Sequence, residues 1–137
     1  MTGLLVLGLA VVIALAIGFH RRRTDGRARA VADAARLTPA DLGSALGRRA
    51  TFVQFSTAVC APCRGTRAVL GAVAAGADDV VHVDVDAESR LELVERFDVT
   101  RTPTILILDG GGVVRHRLVG APRKADVLQA LETLPAA

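Results

Sequence analysis

Aromatic side chains are scarce in this sequence, with four Phe and no Trp or Tyr in 137 residues. A nucleic-acid surface that stacks bases on a sheet needs exposed Phe or Tyr, so that class is set aside. Cysteine is scarcer still, at two residues, which excludes a secreted scaffold held by several bridges. Lysine occurs once, at Lys124, so nearly all the positive charge is arginine. What is abundant is apolar: 51% of the residues, too many for a disordered chain, with no collagen-like or other repeat period. The length leaves room for one domain and a modest extension.

The net charge of +3 is unevenly placed. Residues 1–37 carry six Arg (21, 22, 23, 27, 29 and 36) against Asp25 and Asp33, a net of +4. Residues 38–137 carry eleven basic against twelve acidic side chains, a net of −1. A duplex-binding domain would have its own basic face, so no nucleic-acid partner is expected.

From Gly3 to Phe19 runs a stretch of 17 residues without a charge. As a helix it is about 26 Å long, close to the roughly 30 Å of a bilayer core. A secretory leader has its basic residues before the apolar run. Here none precede it, and His20-Arg21-Arg22-Arg23 follows at once, the order of an uncleaved anchor. The expected organisation is an anchor with basic flank over 1–23, a juxtamembrane linker over 24–33 and a folded domain over 34–137. Arginine-rich flanks stay cytoplasmic, so the expected state is a single-pass membrane protein with its domain on the cytoplasmic side.

The rest of the chain alternates between strand and helix signals. Thr38 and Pro39 mark a helix start, with Gly47 as its stop. Thr51–Ser56, Val80–Val85 and Thr104–Leu108 read as strands. Ala87–Phe97 reads as a helix with Leu91, Leu93, Val94 and Phe97 turned inward. Asp109-Gly110-Gly111-Gly112 is a hairpin turn leading into a strand over Val113–Val119. The last helix starts near Pro122, with Val127, Leu128, Leu131 and Leu134 as its apolar stripe. Strands separated by helices predict parallel pairing and the hairpin adds an antiparallel edge. The fold class is therefore α/β, a mixed central sheet flanked by helices.

Between the first strand and its helix lies Cys60-Ala61-Pro62-Cys63. A thiol at a helix N-terminus faces unpaired backbone N–H groups and the positive end of the helix dipole, which favour thiolate. Cys63 is one turn on, within disulfide reach, and Pro62 fits a first turn, where a missing N–H costs nothing. Two thiols so placed carry out thiol–disulfide exchange through a mixed disulfide. The competing readings are a metal site and an inert interaction module. The only further soft or imidazole ligands, His20, His82 and His116, are scattered, so no metal is expected.

The domain resembles a thioredoxin over about residues 34–134. The resemblance rests on Val53-Gln54-Phe55 leading into Cys60-Ala61-Pro62-Cys63, then on Val83-Asp84-Val85-Asp86, Phe97-Asp98-Val99, Thr102-Pro103-Thr104 and Gly120. It implies a thioredoxin-like fold and a redox-active Cys60–Cys63 disulfide. It also implies a short first strand at Ala34–Leu37 and a cis Pro103 facing the dithiol, beside which Thr102 offers its backbone to a substrate strand. Protein disulfides and an electron-donor or acceptor thiol protein are the implied partners, with the membrane contacted through residues 3–19; no cofactor is implied. The chain departs from the family at Val59 and Ala61, where Trp and Gly are usual. The family's buried Asp falls on Gln54, which does not titrate, and its nearby Lys falls on His82. His82 is then either a stand-in proton acceptor for Cys63 or an incidental polar residue on a half-buried strand. Dithiol exchange is expected, an efficient general disulfide reductase is not.

Overall fold

A computed structural model of the chain describes residues 1–31 and 35–135. The apolar run forms one helix, α1 (Thr2–Thr24), with no buried residue and no polar stripe. It is long and apolar enough to cross a membrane. It ends on Arg21–Arg23 and is capped by Asp25, whose extended backbone turns the chain away while its N–H donates to the Arg21 carbonyl at 2.9 Å.

Beyond α1 come β1 (Arg29–Ala30), α2 (Pro39–Leu42), β2 (Ala50–Ser56), α3 (Ala61–Ala75), β3 (Val80–Asp86), α4 (Leu91–Arg96), β4 (Thr104–Asp109), β5 (Val114–Val119) and α5 (Lys124–Glu132). The sheet order is β1-β5-β4-β2-β3. Strand β2 lies inside the sheet and is buried at all seven positions. Alternation divides its side chains between two cores. Phe52 packs with Leu70, Ile105, Ile107 and Leu131 beneath α3 and α5. Val53 and Phe55 pack with Leu93, Phe97, Leu106 and Leu108 on the opposite face. Each fully buried side chain of this size contributes about 1.5–3 kcal/mol.

Several expectations need correction. Strands β2 and β3 are parallel as predicted, but β4 runs antiparallel to β2. The reason is length: α4 has six residues, about 9 Å of helix. It is too short to return the chain along a seven-residue β3, which spans about 23 Å. Strand β4 therefore starts from the end where β3 finished. Helix α2 stops at Gly43, not Gly47, because Gly43 adopts a left-handed φ of 64° and closes the helix. Leu91, expected inward, is 61% exposed; with α4 starting there, Leu93 and Phe97, four apart, take the core face. Leu128 likewise points outward, leaving Val127 and Leu131 to bury α5.

The expected first strand at Ala34–Leu37 has its first residue outside the described residues, and Arg36 forms a lone bridge to Val113. The strand that edges the sheet is β1, pairing Arg29 and Ala30 with Arg117 and His116 of β5. The stretch that follows α1 thus lies along β5. The Gly26 N–H donates to the Val119 carbonyl at 2.8 Å, and that of Val31 to the Arg115 carbonyl at 3.0 Å. Gly26 has a φ of 74°, and a Cβ there would lie 2.3 Å from the Ala121 carbonyl oxygen. Only glycine fits. Gly26→Ala is expected to cost about 1–3 kcal/mol and to lift this segment off β5. Trypsin cleavage after Arg27 and Arg29 should then accelerate; unchanged cleavage and an unchanged melting temperature would contradict the account.

Candidate active site

Strand β2 delivers the chain to Thr57–Val59, and α3 begins immediately after Cys60, which is its N-cap residue with extended backbone (φ −127°, ψ 94°). No side chain caps this helix end; the Cys63 N–H donates to the Cys60 carbonyl at 3.2 Å, which leaves the Ala61 N–H and the positive end of the helix dipole beside Cys60. Pro62 occupies the first turn. Cys60 and Cys63 form a disulfide with Cα atoms 5.3 Å apart, within the ordinary range. The pair is asymmetric. Cys63 is 1% exposed, whereas Cys60 is half-buried and adjoins a fully solvated Val59. Of the two cysteines, the first is the more open to solvent.

Beneath the dithiol sits Gln54, wholly buried in β2 on the α3 side. Its amide nitrogen donates to the Cys63 carbonyl at 3.0 Å and to the Ser56 hydroxyl at 2.9 Å. Its amide oxygen faces His82 Nε2 at 3.1 Å. With the amide so assigned, Nε2 carries the proton and donates. The partner of His82 is thus Gln54. The Ser56 hydroxyl donates onward to Asp84 Oδ1 at 2.7 Å, and Arg67 Nε of α3 donates to Asp84 Oδ2 at 2.6 Å. The chain of bonds ties α3 to β2 and β3, and among the described residues no buried side-chain nitrogen or oxygen lacks a partner. Ser56 and Asp84 were not singled out as site residues from the sequence. A signal existed: residues 54 and 56 on β2, and 82 and 84 on β3, share the face beneath α3, and Arg67 lies one turn beyond Cys63.

The second loop of the site is Arg101-Thr102-Pro103. The Thr102–Pro103 peptide bond is cis, and the Thr102 hydroxyl lies 3.4 Å from that of Thr57. Pro62, Thr102 and Pro103 border one cavity of about 780 Å³. A second, of about 450 Å³, is bordered by Val59, Cys60 and Cys63. The two cysteines line the second of these, and Pro62 between them borders the first. Among the described residues no three His, Cys, Asp or Glu side chains gather into a metal-holding group.

The thioredoxin family model matches residues 35–133. The chain belongs to the thioredoxin family. It is 32% identical over 101 residues to thioredoxin of Alicyclobacillus acidocaldarius, covering 68% of this chain and 96% of that one. It is 29% identical over 86 residues to thioredoxin H5 of rice, covering 63% of this chain and 62% of the relative's length. Among solved structures it resembles the Nicotiana alata thioredoxin NaTrxh, with a TM-score of 0.56 and 28% identity over 65% of this chain and 76% of that one.

Burial holds the His82 imidazole below its ordinary 6.5, against an upward pull from Asp84. The folded state therefore prefers the neutral ring, and the unfolded chain binds more protons just below pH 6.5. Stability should rise with pH across that window and fall as the ring is protonated. Burial lowers His116 in the same direction. Asp41, Asp109 and Asp126 are held below their ordinary 3.8, so their contribution is lost only in stronger acid. His82→Gln is expected to flatten, without abolishing, the rise of melting temperature between about pH 5 and 7. An identical slope in the variant would contradict this placement of His82.

Proposed function

We propose that this chain is a membrane-anchored thiol–disulfide oxidoreductase, with Cys60 as nucleophile and Cys63 as resolving thiol. The observation that carries the reading is the seat of the half-buried Cys60 at the uncapped N-terminus of α3, bonded to a buried Cys63. In the reduced protein the Ala61 N–H and the dipole of α3 stabilise the Cys60 thiolate. That thiolate attacks one sulfur of a substrate disulfide. The substrate S–S bond breaks, a mixed disulfide forms, and the other substrate sulfur leaves as a thiolate. Cys63 gives its proton to the departing sulfur and attacks Cys60. The mixed disulfide breaks, the second substrate sulfur leaves as a thiolate and takes a proton from water, so the substrate departs as a dithiol and Cys60–Cys63 is oxidised. Two electrons have moved to the substrate, and a donor thiol protein must return two to reset the pair.

The remaining residues hold this chemistry in place. Gln54 fixes the carbonyl of Cys63, and His82 orients Gln54. With an amide where the family has a carboxylate, there is no buried proton acceptor under Cys63. Resolution is therefore slower than in the family's general reductases. Thr102, beside Pro103, pairs its backbone with the substrate chain as an added strand. Residues 3–19 cross the bilayer, Arg21–Arg23 stay on the cytoplasmic side, and the domain faces the cytoplasm.

One experiment on the full chain tests both halves. Cys63→Ser is expected to trap partner proteins as mixed disulfides that sediment with membranes at full-length mass, while Cys60→Ser traps none and loses exchange with a model disulfide. Exchange that survives Cys60→Ser would overturn the catalytic assignment. A soluble product shortened beyond Arg23 would overturn the anchor in favour of a cleaved leader.

A further inference from the structure

The end of α1 does not swing free of the domain. Asp25, the residue capping α1, is ion-paired with Arg101 of the cis-proline loop. The next residue, Gly26, is buried against Ala121 and bonded to Val119. Residues 29 and 30 then join the sheet. The last turn of α1 is thereby fixed beside the dithiol loop, and the 780 Å³ cavity lies between them. Its lining takes Pro62, Arg101, Thr102 and Pro103 from the dithiol side and Arg22, Arg23 and Arg27 from the α1 side, with Arg123 beside them.

The charge balance of this cavity is lopsided. Five arginines and a single carboxylate, Asp25, line it; Asp25 is held by Arg101, and the Arg23 guanidinium lies over the Phe19 ring at 4.2 Å. Arg123 is paired with Asp126. Among the described residues Arg22, Arg23 and Arg27 have no ion-pair partner. The α1 C-terminus brings about half a negative charge, too little to offset them. Arg22 follows Phe19, the last apolar residue of α1, by three positions. That is about 4.5 Å of helix rise, well inside the roughly 8 Å screening length of physiological salt.

Building on the exchange reading, we propose that this cavity docks an acidic polypeptide segment flanking the disulfide of the partner, at the level of the membrane surface. Guanidinium forks take carboxylates in bidentate pairs, and the dithiol side of the lining is the loop edge along which the substrate chain would run. A lipid headgroup lodged there would block that path, so the occupant is protein. The partner is thus a protein whose reactive disulfide is flanked by Asp or Glu and lies next to the bilayer, not an arbitrary soluble disulfide.

The test uses the full chain in uncharged detergent micelles, with disulfide peptides that differ only in Asp or Lys flanks. Hydroxyethyl disulfide, small and neutral, reports the underlying exchange. At low salt the Asp-flanked peptide is expected to react about tenfold faster in kcat/KM, as several charge pairs at a docking surface allow. The preference should fade as salt rises from about 10 mM to about 1 M, where the screening length falls from about 30 Å to 3 Å. The triple variant Arg22→Gln, Arg23→Gln, Arg27→Gln should lower the Asp-to-Lys ratio several-fold. Equal rates for the two peptides, or a ratio unmoved in the variant, would overturn the proposal. So would equal rates together with inhibition by phosphatidylglycerol vesicles that the variant relieves, which would assign the cavity to lipid. Loss of turnover even with hydroxyethyl disulfide would instead overturn the exchange reading, and this inference with it.

Discussion

Helix α3 starts directly after Cys60, its N-cap, and the bond between the Gln54 amide and the Cys63 carbonyl holds that start in place. Strand β2 is buried along its whole length, so its register cannot slip without moving Gln54 and both cores together. From that fixed strand the amide reaches up to the first turn of α3. The helix end is then left without a side-chain cap; Pro62 has no N–H and that of Cys63 donates to the Cys60 carbonyl at 3.2 Å. A Ser or Asp at the cap position would satisfy a first-turn donor. Here the position is given to a cysteine, and in the proposed reading the Ala61 N–H and the helix dipole act on its sulfur. The Ser56–Asp84–Arg67 chain makes the opposite adjustment, binding the body of α3 to β2 and β3.

The same logic extends to the N-terminal side. Asp25, Gly26 and β1 fasten the end of α1 against the loop that carries Pro103. Joined by a loose linker, α1 would let the dithiol face any direction. Stitched to β5, it fixes which face of the domain lies near the end of the apolar helix, and that face holds the arginine-rich cavity.

Much of this was legible from residue order. The Phe- and Val-rich run of 51–56, the alternation in 80–85, the Thr38-Pro39 start and the Gly-rich turn each have a local cause, and each appears as an element or a cap. Asp109 completes the turn by accepting from the Gly111 and Val113 N–H groups. The misses have tertiary causes. Arg29–Ala30 carries no strand signal and is extended only because β5 offers an open edge. Leu91 and Leu128 satisfied a helical stripe in sequence, but where the helix axes lie on the sheet decides which leucines are covered. The direction of β4 depended on the length of α4, which the sequence overstated by including Ala87–Arg90. At the site, the two cysteines and Thr102-Pro103 were recognisable from the sequence. The Gln54–His82 bond was not, because it needs the pairing of β2 with β3.

The most direct test of the central claim is the pH dependence of alkylation in the freshly reduced full chain, resolved by residue with mass spectrometry. The account expects Cys60 to react first, with a midpoint clearly below the value of about 8.5 for free cysteine, and buried Cys63 to lag. A Cys60 midpoint at or above that value, or Cys63 reacting as fast, would contradict it.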